Sequence, residues 1–324
     1  MRPAMGKLGI HSEKVSRRAW LGGVAAAGAA LAVGSAAEER AAAAGTFRFC
    51  LNTATIRGQK LPIEKEVEVA AKAGYDAIEP WMDRLHDYVR RGNSPADLRK
   101  RIEDLGLTVE SAIGFPSWLA NDPSRRAAGV ERMKQDMDLL AQIGGKRVAA
   151  PPAGLPRGET VELNAAAERY LKILEIGDSL GVIPQIEMWA GSAALGRVSA
   201  AVAVAIETGH PKACFLGDLF HIYRAGCDVD GLRLLGPCAV QVFHMNDYPG
   251  GKPREQLRDG DRVMPGDGAG PTAETLRIFI QIGARPALSL ELFNRSYWQR
   301  DALETARIGL RKLKACAAAA GAGG

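Results

Sequence analysis

Residues 163–187 read LNAAAERYLKILEIGDSLGVIPQIE. Apolar residues recur at helical spacing from Leu163 to Leu180, Gly181 supplies a stop, and Val182–Glu187 is a short apolar run that ends on a carboxylate. The same helix–glycine–strand passage repeats on both sides. Toward the N-terminus, Phe47–Leu51, Tyr75–Glu79, Leu107–Ile113 and Arg147–Ala150 have strand character. Helical spacing runs from Ile63 to a stop at Gly74, over Pro95–Leu105 to Gly106, and through Val130, Met133, Met137 and Leu140 to Gly144-Gly145. Toward the C-terminus, Ala213–Gly217, Ala239–Phe243 and Ala287–Glu291 are strand-like, and Val198–Glu207, Gly231–Leu235, Ala273–Ile282 and Ala302–Leu313 are helical. Eight strand–helix units of about 30 residues, with glycine after most helices, predict a parallel sheet. No linker or composition shift divides them, which favours one closed (β/α)8 TIM barrel over two open α/β halves.

The 324 residues are 47% hydrophobic and 24% charged, which excludes a disordered or collagen-like chain. Five cysteines with no CxxC exclude a zinc ribbon or a thioredoxin-type site. Cys50, Cys214 and Cys238 lie in apolar runs and are expected to be small buried hydrophobes. Residues 1–44 read as a cleavable twin-arginine export signal: basic residues, then Ser16-Arg17-Arg18-Ala19-Trp20-Leu21, then an Ala/Gly/Val/Leu run too short and glycine-rich to span a membrane comfortably. The expected partner is the twin-arginine export machinery, and the expected location is periplasmic or otherwise exported. Residues 45–316 then form the barrel, and 317–324 a disordered tail. Residues 1–44 carry six basic and three acidic residues, which leaves the remainder a net charge of +2. That is not the footprint of a nucleic-acid binder.

Chemistry in such a barrel sits where strands end. Strand two ends at Glu79, strand five at Glu187, strand six at Asp218, strand seven at His244 and strand eight at Glu291. Close carboxylates repel one another unless a cation stands among them. Oxygen ligands with one imidazole suit a manganese- or magnesium-like ion, with zinc or cobalt as alternatives. Glu79 is either a helix cap or a further polar group facing the substrate.

The series Glu187, Asp218-x-x-His221, His244-x-x-Asp247 and Glu291, with Arg262 before Pro265-Gly266-Asp267-Gly268, resembles the xylose-isomerase-like TIM-barrel superfamily. The nearest branch is that of the sugar phosphate isomerases/epimerases, with tagatose/psicose 3-epimerases, hydroxypyruvate isomerases and inosose dehydratases. The resemblance implies one divalent metal ion, most simply Mn2+, held by Glu187, Asp218, His244 and Glu291. It implies that Glu187 and Glu291 also act as the acid/base pair, and that His221, Arg262 and Asp247 face the substrate.

An isomerase or epimerase working through an enediolate is the expected enzyme, with a carbohydrate substrate. Export favours a free sugar, keto-sugar or sugar acid over a phosphate ester. A dehydratase or lyase on the same site is the nearest rival, followed by a non-catalytic sugar-binding protein. A multi-metal endonuclease would need more histidines than the five present. Exterior barrel helices leave room for a homo-oligomer, although no patch in the sequence specifies one. Basic residues of the loop after strand seven (Lys252, Arg254, Arg258) offer an anion site or a solvated face, and Gly266–Gly270 reads as a turn near the site. Trp81, Phe115, Trp118, Trp189, Tyr223 and Trp298 follow strand ends, where aromatics stack on sugars or pack the mouth.

Overall fold

In the computed structural model, which describes residues 47–322, eight parallel strands run in the order three, two, one, eight, seven, six, five, four. They are β1 (Phe49–Asn52), β2 (Ala77–Glu79), β3 (Thr108–Val109), β4 (Arg147–Ala150), β5 (Ile183–Glu187), β6 (Phe215–Asp218), β7 (Val240–Met245) and β8 (Ala287–Leu290). β1 pairs with both β2 and β8. The remaining gap, between β3 and β4, is closed just beyond β3. There Ala112 donates to the Arg147 carbonyl at 3.1 Å and accepts from the Ala149 N–H at 2.9 Å. Two open halves would leave free edges here, and closure removes them. The chain signal expected in 1–44 lies outside the described residues. Among the described residues no helix is long and apolar enough to cross a membrane.

The crossover helices are α1 (Ile63–Ala73), α2 (Met82–Arg90), α3 (Pro95–Asp104), α4 (Pro123–Gln142), α5 (Leu163–Leu180) and α6 (Val198–Glu207). Then follow α7 (Leu219–Arg224), α8 (Thr272–Gln281), α9 (Arg295–Trp298) and α10 (Ala302–Ala319). At Gly181 the backbone turns left-handed, φ 75°, and its N–H closes on the Asp178 and Gly177 carbonyls. A residue without a Cβ is the one that ends α5 there at no steric cost. The apolar faces of these helices and the outward side chains of the strands form one large core. Each fully buried Leu or Ile in it contributes about 1.5–3 kcal/mol.

Strand periodicity builds the interior of the barrel. Side chains alternate across a strand, so residues two apart share a face. Cys50, Ala77, Leu216, Val242 and Ala287 belong to a separate small apolar cluster. Two residues further along the same strands stand Asn52, Glu79, Asp218, His244 and Ser289, all fully buried. An apolar floor thus carries a polar layer at the carboxyl ends.

Several expectations need correcting. β3 has two residues rather than seven, because Glu110–Ile113 leaves the ladder and pairs only locally, at Ala112 and Ile113. α2 and α7 were not expected. α10 runs on to Ala319, and Ala317 and Ala320 are buried, so no disordered tail begins at 317. Cys238 is exposed, whereas Cys316 joins Cys50 and Cys214 among the buried thiols.

Candidate active site

His244 stands at the centre of the polar layer. Its Nε2 lies 3.1 Å from Glu79 Oε2, which also accepts from Asn52 Nδ2 at 2.8 Å and Ser289 Oγ at 2.6 Å. The opposite ring nitrogen, Nδ1, makes no hydrogen bond, although it is 3.3 Å from Glu291 Oε2 and 3.7 Å from Asp218 Oδ2. Burial alone would depress the imidazole pKa. The Glu291 and Glu79 charges overcome that and hold it well above its ordinary value.

Asp218 divides its two oxygens between tasks. Oδ1 accepts the His221 backbone N–H at 2.8 Å and so caps α7, which is why a helix can start directly on the strand end. Oδ2 accepts from Asn246 Nδ2 at 3.0 Å and from Arg262 Nη1 at 2.7 Å. The same Nη1 reaches Glu291 Oε2 at 2.9 Å, while Asn52 Nδ2 holds Glu291 Oε1 at 3.1 Å. Burial opposes ionisation of Asp218, but the Arg262 guanidinium keeps its carboxyl well below the usual range. Arg262 is itself buried, and these carboxylates push its pKa upward against the burial.

One ligand atom each from Asp218, His244 and Glu291 lies within 4.8 Å of the others. Two carboxylate oxygens and an orphaned imidazole nitrogen fit a divalent cation. The oxygens nearest Nδ1 are the two that Arg262 already bonds, so the cluster is built around positive charge. Glu187, expected to be a fourth ligand, is not a member of this group. It stands buried at the end of β5, and burial, with the Glu291 and Asp218 charges adding, pushes its carboxyl up to about 8 despite His244. Its proton is therefore retained near neutrality.

Glu187, Glu291, His221 and Arg262 line one cleft of about 330 Å³, rimmed by Trp81, Phe115, Trp189 and Phe293. The rim rings touch edge to face or tilted, Trp81 to Phe115 at 5.3 Å, Trp81 to Phe293 at 5.9 Å and Phe115 to Trp189 at 5.5 Å. Such a collar suits the apolar faces of a sugar or cyclitol ring. His221 Nε2 is 3.3 Å from Arg262 Nη2, and its Nδ1 is unpartnered. Burial, reinforced by Arg262 and opposed by Asp218, lowers its pKa and keeps the ring neutral.

Two residues expected to face the substrate do not line the cleft. Asp247 is fully buried and accepts the backbone N–H groups of Tyr248, Gly266, Gly268 and Gly270 at 2.7–3.1 Å. A Cβ on Gly268 or Gly270 would come within 2.5 or 2.6 Å of Asp247 Oδ1, so the glycine-rich turn is a cradle for this carboxylate. Glu79 lies behind His244, fully buried and outside the cleft lining; its Oε2 holds the ring while its Oε1 has no hydrogen-bond partner. Among the expected aromatics, Trp118 is buried against Tyr170, Tyr223 stacks on Tyr248, and Trp298 donates to the Ala54 carbonyl. The loop cations are largely committed: Lys252 to Asp261 at 2.7 Å, Arg254 over Tyr223, and Arg258 to the Glu255 and Leu257 carbonyls. Asn52, Asn246, Ser289 and Phe293 escaped the sequence reading. For Asn52 a signal existed, since it ends the first strand at the same level as Glu79.

A profile of the xylose isomerase-like TIM barrel matches residues 67–316. The chain belongs to that family. Within it, the chain is 25% identical over 266 residues to an inosose isomerase of Bacillus velezensis, covering 80% of this chain and 93% of the relative. It is 27% identical to a 3-dehydroshikimate dehydratase of Pseudomonas aeruginosa, covering 78% of this chain but 39% of that longer protein. Among solved structures it resembles the IOLI protein with a bound zinc atom, at TM-score 0.76 and 22% identity over 83% of this chain and 97% of that one. An L-ribulose 3-epimerase structure aligns at TM-score 0.68 and 22% identity, over 85% and 97% of the two chains. Family members thus include both isomerases and dehydratases on one scaffold.

Proposed function

We propose that this protein is a metal-dependent isomerase or epimerase of a sugar, keto-sugar or cyclitol that carries a hydroxyl next to a carbonyl. The observation that supports it best is the pair of carboxyls at one mouth with opposite surroundings. Glu187 is buried and retains a proton near neutrality, whereas Glu291 is held against Arg262 and His244. A carboxyl that keeps its proton, beside a carboxylate paired with a guanidinium, lets the two divide the work of acid and base.

Removing a proton beside a carbonyl leaves charge on the carbonyl oxygen, and that charge needs a fixed positive neighbour. When bound, a divalent ion held by Asp218, His244 and Glu291 supplies Lewis acidity for that oxygen. The chain's own residues do the rest. Glu187 and Glu291 take the carbon-bound proton and return it at the neighbouring centre or on the opposite face. Neutral His221 offers an uncommitted ring nitrogen to a substrate oxygen, and Arg262 keeps the carboxylates oriented. The aromatic rim limits water at the reacting carbons. Read with the export signal proposed for residues 1–44, a free sugar or sugar acid is favoured over a phosphate ester.

The same groups support a dehydratase reading, to which the similarity to 3-dehydroshikimate dehydratase lends weight. A carboxyl that holds its proton at neutral pH is poised to protonate a departing hydroxide. One experiment separates the readings. Metal-loaded protein is incubated in D2O with a panel of ketoses, inososes and keto-acids, and products are followed by NMR and mass spectrometry. Deuterium at a carbon next to the carbonyl, with composition otherwise kept, is the expected result. Loss of water would establish the dehydratase, and no exchange with any substrate would leave a binding protein.

A further inference from the structure

Next to the cleft lies a second cavity of about 500 Å³, and the two adjoin at Trp189, Ala190 and Arg224. Arg224 closes the short helix α7, six residues after Asp218, and so stands where the catalytic cleft opens into this side pocket. It is half-buried, and among the described residues no hydrogen bond or ion pair ties down its side chain. Its Nε is buried without a partner, and its guanidinium carbon lies 5.7 Å from the Phe220 ring centre. A guanidinium desolvated on one edge and left without an acceptor is an incomplete arrangement.

The rest of the side pocket sharpens its sign. Arg157 and Arg258 also line it, against Glu159 and Glu255. Glu159 accepts from Asn121 Nδ2 at 3.0 Å, and exposed Glu255 lies 4.0 Å from Arg254 Nε, so three arginines face two glutamates and the lining is net positive. Arg258 spends Nη1 on two backbone carbonyls. Of the three arginines only Arg224 also lines the cleft, while Arg157 stands at the exposed rim.

From this geometry we infer that Arg224 is a specificity-determining residue that binds an anionic group of the substrate, a carboxylate or a phosphate remote from the reacting carbons. The inference rests on the proposed enolising site and narrows its substrate to an acidic carbohydrate. A planar fork of N–H donors matches either anion bidentately, which a lysine or an amide does less well. The aromatic collar takes the ring, the acid/base pair faces the reacting carbons, and the anion points into the side pocket.

The test is equilibrium binding by calorimetry on metal-loaded protein with three probes on one scaffold: D-glucuronate, D-glucose 6-phosphate and D-glucose. At least one anionic probe is expected to bind about tenfold or more tightly than glucose. Arg224→Gln is expected to remove that preference while changing the glucose affinity by less than about twofold, and Arg224→Lys to restore part of it. Which anion wins separates a carboxylate from a phosphate. No preference for either anion, or a preference that survives Arg224→Gln, overturns the inference. Its failure is distinct from that of the proposed function: deuterium exchange confined to neutral sugars would leave the enolising site and remove the anion site. Arg224-dependent anion binding without exchange on any substrate would do the reverse.

Discussion

The imidazole of His244 is gripped at Nε2 by a fully buried carboxylate. Glu79 Oε2 collects that nitrogen together with Asn52 and Ser289, which fixes both the ring plane and the nitrogen left facing Asp218 and Glu291. Groups that orient a ligand in this way are typically worth about 10- to 100-fold in metal affinity. Glu79→Gln is therefore expected to weaken metal binding by about that factor, measured by competition titration; an unchanged affinity would mean that the orientation is set by packing alone. Glu187 makes the opposite prediction. Because it lies outside the Asp218–His244–Glu291 group, Glu187→Gln is expected to keep the metal and lower proton exchange by about 10²–10⁴-fold, and loss of metal in that variant would return it to the ligand set. Reading strand ends identified Glu187, Asp218, His244 and Glu291, because a charged residue closing an apolar run is conspicuous. It places Glu79 and Asp247 at the mouth, and neither lines the cleft, because sequence gives a residue's level on the barrel but not what its oxygens accept. Asn52, Asn246 and Ser289 carry no such contrast, since amides and hydroxyls end strands for many reasons.

On α1 a carboxylate is held where no ligand could use it. Glu66 is fully buried, neither oxygen has a hydrogen-bond partner, and the nearest cation is Arg84 Nε at 4.0 Å. Burial pushes its pKa up to about 8, against the pull of Arg84 and Arg57. The folded chain then binds a proton that the unfolded chain, with an ordinary carboxyl, has released. Stability is accordingly unaffected below the unfolded pKa, declines as pH rises toward 8, and stays reduced above it. Glu66→Gln is expected to match the wild type at about pH 4 and to exceed it by on the order of 4 kcal/mol at about pH 9, read by denaturant unfolding at both values. Equal stability at the higher pH would mean that Arg84 pairs with Glu66 more closely than 4.0 Å implies. Elements with long amphipathic patterns and clear stops, such as α5 and β4, were legible to the residue. α2 was not, because charged residues dominate it: MDRLHDYVR buries only Met82, Leu85 and Tyr88. α7 was hidden for another reason. Its start depends on the Asp218 cap, and at a strand end the sequence favours ligand chemistry over a cap when several carboxylates converge.

For the whole molecule, closure through Ala112 and the β1–β8 pair gathers residues from every part of the chain into one charged cluster. Asn52 and Glu291 are 239 positions apart yet share a hydrogen bond. The eightfold repetition made closure legible; the local pairing at the β3–β4 seam could not be read, since nothing in Glu110–Ile113 announces it. Because the cluster assembles only on folding, a cation that binds there stabilises the folded chain alone. At about 100 times its dissociation constant the gain is about 2.7 kcal/mol, which for a domain of this size raises Tm by roughly 5 °C. Thermal unfolding of chelator-treated protein with added Mg2+, Mn2+, Co2+ or Zn2+ is expected to show such a shift with at least one ion, and Asp218→Asn to abolish it. Carboxylates left without a cation repel, and Arg262 already bridges Asp218 and Glu291, so a bound metal shares their oxygens with it. A Tm indifferent to all four ions, with no metal found by elemental analysis, would leave Arg262 and the His244 imidazolium as the cations of the site. The acid/base pair would then have to work on a substrate polarised by hydrogen bonds alone.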